Sequence, residues 1–134
     1  MKAEKIPTAN MEWEAAVEMF GPRALGDGRP LAEWKPLSDR RREGGGLACL
    51  IRFTPPPGKL LKVIATARSD EHVYLLEGGN CNKAGKRIAG PRAYGINPQG
   101  RPHSAFFSQP TTALVIYRGE PDEVHELEVI DRLS

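Results

Sequence analysis

The chain has 134 residues, 40% hydrophobic and 27% charged, with a net charge of +2 when its three histidines are neutral. That is the composition of one folded domain, and so small a charge argues against nucleic acid or an anionic membrane as a partner. The longest purely apolar run, Leu47-Ala48-Cys49-Leu50-Ile51, is far too short to span a bilayer, and the opening MKAEKIPTANMEWE lacks the apolar core of a secretory signal. Cys49 and Cys81 have no CxxC spacing, so they read as reduced thiols of a cytoplasmic protein rather than a disulfide or zinc framework.

Taken in order, the first element is a helix over Met11–Phe20. Trp13, Val17 and Phe20 recur at i, i+4 and i+7, with Asn10 placed to cap the start and Gly21 to end it. The Gly- and Pro-rich stretch 21–30 is a loop, so residues 1–32 form an extension packed on a domain over 33–134. The mixed-charge run Asp39–Gly46 reads as a solvated hairpin turn. From Leu47 the pattern turns to period two: Leu47, Cys49, Ile51 and Phe53 alternate until Pro55-Pro56-Pro57-Gly58 ends the strand. Further strands are expected at Leu60–Thr66, His72–Glu77, Arg92–Ile96, His103–Phe107, Thr111–Tyr117 and Val124–Ile130. Gly (14) and Pro (12) supply the turns between them. Short strands at this spacing predict an all-β sandwich or barrel.

Gly79 to Lys86 superficially suggests a phosphate-binding loop. Five residues separate Gly79 from Gly85 where that motif has four, Arg87 replaces its hydroxyl residue, and no helix pattern follows. It reads as a hairpin turn. Cys81 sits there among polar residues without a base beside it, so it is not a nucleophile candidate.

A distributed signal carries more. Glu71 and Gly78 are separated by six residues, and Pro98, Gly100 and His103 fit PxGxxH. These resemble the two motifs of the cupin superfamily (RmlC-like), over roughly Glu33 to Glu120. The resemblance implies a conical jelly-roll barrel with a metal (Fe, Mn, Zn, Ni or Cu) on three His and one Glu. Where the family has its HxH pair this chain reads Ala65-Thr66-Ala67, which leaves only Glu71 and His103 as ligands. Two protein ligands seldom hold a catalytic divalent ion. The expectation is therefore a cupin without a metal cofactor. His72, next to Glu71 on a strand, should face outward, and no spacing ties His125 to the site.

Strand phase places Val63, Ala65, Ala67, Val73, Leu75, Ala105 and Phe107 around Glu71 and His103, an apolar pocket with a few polar groups. Arg68 and Arg101 are candidates at its mouth for a ligand carboxylate, and Tyr94 either offers a hydroxyl or packs. These residues suit binding of a small organic acid or ketone, with Glu71 as base and His103 as partner in a metal-independent isomerase or lyase. The alternatives are a metal-dependent oxygenase with an incomplete motif (Fe, Mn or Zn) and a non-catalytic sensor of the zinc anti-sigma kind. The outward stripe of His72, Tyr74 and Leu76 suits a homodimer.

Overall fold

The computed structural model describes residues 3–133. Wherever every second side chain is apolar the chain is a strand, because period two gathers those side chains on one face. The strands are β1 (Glu14–Ala15), β2 (Leu25–Gly26), β3 (Arg29–Pro30), β4 (Ala32–Arg40), β5 (Gly46–Phe53), β6 (Leu60–Thr66) and β7 (Glu71–Glu77). They continue as β8 (Asn80–Cys81), β9 (Arg87–Ala89), β10 (Tyr94–Asn97), β11 (Pro102–Phe107), β12 (Thr111–Tyr117) and β13 (Glu123–Ile130). One sheet runs β1-β4-β5-β12-β7-β10 and the other β13-β6-β11-β8-β9, while β2 and β3 form a separate ribbon. The alternate residues Leu47, Cys49 and Ile51 of β5, Leu61 and Val63 of β6, and Ala113, Val115 and Tyr117 of β12 fill the core between the sheets. This is the expected all-β jelly-roll class. Among the described residues the two sheets share no ladder and face each other across the core, β1 and β10 ending one and β13 and β9 the other. Among the described residues no helix is long and apolar enough to cross a membrane.

The N-terminal segment departs from its helical pattern. Only Val17–Phe20 is α-helix (α1), closed by Gly21 at φ 65°. Upstream, the backbone finds better partners on β4: Glu14 and Ala15 pair with Trp34 and Glu33, and Ala16 N–H donates to Ala32 O at 2.9 Å. Trp13 leaves the helical stripe to lie between cations, 4.7 Å from Lys35 Nζ and 4.3 Å from Arg52 Cζ. Asn10 ends a 3-10 turn, Thr8–Asn10, instead of capping α1. The nine-residue β4 escapes the period-two pattern because its register shifts between Pro36 and Ser38, a bulge that Pro tolerates. Arg92 takes φ 72°, a turn conformation, so the strand expected from Arg92 begins at Tyr94.

Candidate active site

Glu71 opens β7, and the register sets it opposite Asn97 of β10 and Tyr117 of β12. Directly opposed residues share a face, so all three point inward at one end of the sheet. Asn97 Nδ2 donates to Glu71 Oε1 at 2.7 Å. Across the gap, His103 of β11 pairs with Ala65 of β6, and Asp122 stands immediately before β13. His103 Nε2 lies 2.7 Å from Asp122 Oδ2 and 3.6 Å from Glu71 Oε1. A carboxylate only accepts, so Nε2–H donates to Asp122. The side chains of Glu71 and Asp122 are 8% and 6% exposed, and Asp122 Oδ1 is buried without a hydrogen-bond partner.

Burial pushes the Glu71 carboxyl up to about 7, the Asp122 charge adds to that, and Asn97, His103 and Tyr117 resist it. Burial works against the charged form of His103, but the Asp122 hydrogen bond and the two carboxylate charges outweigh it and hold His103 above its ordinary value. Tyr117, wholly buried beside Glu71, is driven well above the phenol range. Burial, then Glu71, raises the Cys49 thiol to about 12, so it is inert.

The cluster closes one end of a cavity of about 280 Å³. Val63, Ala65, Val73, Leu75, Ala105 and Phe107 lie in its wall with Glu71 and His103. One expected wall residue, Ala67, does not. β6 ends at Thr66, and Ala67 turns into a loop where it exchanges backbone hydrogen bonds with Gly100 and Arg101. Arg68 lies with Arg23 and Glu123 in an adjoining groove that shares Met19, Phe20, Asp122 and Val124 with the cavity, and Arg101 is exposed on the turn before β11. Neither arginine stands in the cavity wall itself. Tyr94 borders the cavity, but its hydroxyl bonds His72 Nδ1 at 2.7 Å on the outer face. His125 Nε2 bonds Thr66 Oγ1 at 2.8 Å, away from the cluster.

Sequence reasoning missed Asp122, Asn97 and Tyr117. Asn97 sits directly before Pro98 of the second motif, and once β7 and β10 are paired its place opposite Glu71 follows. Asp122 had no such signal, because a turn after β12 carries it to His103 across 19 residues of sequence.

The donor atoms of Glu71, His103 and Asp122 lie within 4.8 Å of one another. The cupin metal centre of three imidazoles and one carboxylate does not fit these residues. The positions of its HxH pair are Ala65, a methyl in the wall, and Ala67, outside it. The remaining imidazole has its Nε2 engaged by Asp122.

No known family profile and no curated protein matches this chain. Solved structures do. An RmlC-like cupin protein from Ralstonia eutropha shares 13% identity over 96% of this chain and 80% of its own, with a TM-score of 0.58. The polyketide cyclase RemF from Streptomyces resistomycificus shares 16% over 99% and 88%, with a TM-score of 0.54. A chain of the Rhodobacter sphaeroides complex of SigE with the anti-sigma ChrR shares 18% over 81% of this chain and 50% of that one, with a TM-score of 0.53. Two facing antiparallel sheets, the retained Glu71 and His103 positions and these likenesses agree: the chain has the cupin fold.

Proposed function

We propose that this chain is a metal-independent cupin that binds a small organic acid or ketone between its sheets and moves a proton beside the carbonyl. Glu71 is the base and His103 its partner. The observation that carries this reading is the Glu71–His103–Asp122 cluster, with both carboxylates buried, at the polar end of a mostly apolar cavity. Relatives in fold include both a cyclase and an anti-sigma complex, so fold alone does not choose between catalysis and sensing. The site favours catalysis, because a general base works best when its pKa lies near the operating pH, and Glu71 sits at about 7.

In this reaction the α C–H bond of the ligand breaks and its proton passes to the Glu71 carboxylate. The electron pair moves onto the carbonyl oxygen as an enolate. The His103 imidazolium, held by Asp122, supplies the positive charge that stabilises it. Return of the proton to the other face of the α carbon gives the epimer. The apolar wall keeps water from competing for the enolate.

Solvent-deuterium exchange into the α position of cyclohexanone, followed by NMR, tests this. Wild-type protein should exceed the buffer rate, and Glu71→Gln should lose about 100-fold or more of that excess. A Glu71→Gln protein that still binds the ketone and exchanges at the wild-type rate removes Glu71 from the mechanism.

A further inference from the structure

Among the described residues the cavity wall carries no Lys or Arg, and its charged groups are Glu71, His103 and Asp122. The two oxygens of Asp122 differ. Oδ2 accepts from His103 at 2.7 Å, whereas Oδ1, on the same buried side chain, accepts from nothing. An acceptor buried without a donor is unfavourable, and a ligand donor that reaches it recovers that free energy on binding. We infer that Asp122 Oδ1 is the docking acceptor for a ligand hydroxyl, and that the ligand is an uncharged α-hydroxy carbonyl compound rather than a carboxylate.

Three observations converge on this class. One atom from each of Glu71, His103 and Asp122 lies within 4.8 Å of the others, so a small ligand docked on Asp122 also meets Glu71. A ligand anion in the cavity would join two carboxylates with only His103 to oppose it. Outside, Arg23 is committed to Val124 O at 2.9 Å, and Arg68 shares its groove with the carboxylates of Asp122 and Glu123. The cavity, about 280 Å³, holds roughly nine water molecules' worth of liquid volume, which suits a ligand on the order of ten non-hydrogen atoms.

The inference rests on the proposed site chemistry but is read from binding alone, so either can fail without the other. Dissociation constants for α-hydroxycyclohexanone, cyclohexanone and cyclohexanecarboxylate, from NMR shift changes, provide the test. The hydroxyketone should bind at least about tenfold more tightly than the ketone, with the carboxylate weakest. In Asp122→Ala that preference should collapse. Asp122→Asn covers the case in which the truncated protein does not fold. Its amide oxygen can keep the His103 bond, and its NH2 then stands where Oδ1 was, so the hydroxyl can only accept from a neutral donor there and the preference should fall at constant volume. Arg68→Ala should leave all three constants unchanged.

Equal binding of hydroxyketone and ketone overturns the inference, and so does failure of all three probes to bind. Tightest binding of the carboxylate, lost in Arg68→Ala, also overturns it. So does stoichiometric uptake of Zn2+ or Mn2+ by chelator-treated protein that vanishes in Asp122→Ala, which would make Oδ1 a cation ligand.

Discussion

The two ends of the cavity share the strands β11 and β12 and differ in almost everything else. β12 runs from one to the other, with Thr111 opposite Phe53 at the first and Tyr117 opposite Glu71 at the second. At the first end Phe53 and Phe107 stack at 4.6 Å, and Phe20 of α1 meets Phe53 edge-on at 5.7 Å. At the second, Glu71, Asn97, His103, Tyr117 and Asp122 converge. The aromatic end gains stability from apolar burial, whereas the polar end has two carboxylates buried against solvation. A fold that spends stability at one end must hold its ligand-facing groups with packing from the other.

The largest stability effect is expected at the aromatic end. Phe107→Ala removes one ring of the stack and enlarges the cavity, and should cost about 3 kcal/mol in denaturant unfolding. The raised titration of Glu71 should survive it, because the charged and hydrogen-bonding groups that act on it, Asp122, Asn97, His103 and Tyr117, all stand at the other end. Loss of both together would show that the two ends do not act separately.

The second effect belongs to the polar end and has the opposite sense. Glu71 holds its proton up to about pH 7 in the folded chain, against an ordinary value of 4.5. Its contribution to stability is therefore complete below pH 4.5 and is lost as the pH rises through 7. On this group alone the loss is on the order of 3 kcal/mol. Glu71→Gln cannot ionise, so the variant should gain stability relative to wild type across that interval. Parallel pH–stability curves for the two proteins would remove the buried-charge account of this end.

The two ends were not equally legible in the sequence. Alternation at Leu47–Phe53, Leu60–Thr66 and Thr111–Tyr117 marks the strands, because a face buried between sheets must be apolar at every second residue. Glu71 and His103 were found through motif spacing. Asp122 and Tyr117 were not, since their roles depend on strand register and on a turn, which pair residues far apart in the chain. The same gap misplaced Ala67: extending the strand phase past Thr66 assumes a strand that has already ended. Trp13 looked helical because a stripe of apolar residues does not reveal that β4 offers hydrogen bonds and cations to the same segment.

The smallest expected effect tests whether the inner and outer faces of β7 are independent. His72 follows Glu71 directly, and strand geometry turns it to the opposite side. There its Nδ1 meets the Tyr94 hydroxyl at 2.7 Å, with the rings 6.0 Å apart, next to exposed Tyr74, Ile96 and Ile116. A partly exposed neutral hydrogen bond contributes about 1 kcal/mol or less, so His72→Ala should shift stability by no more than that. Ketone proton exchange should be unchanged, because the His72 imidazole shares no hydrogen bond with the cluster. A tenfold fall in exchange would mean that Glu71 depends on the sheet's outer face. The polar end would then have to be redrawn to include the His72–Tyr94 pair, which reaches it through β10 and Asn97.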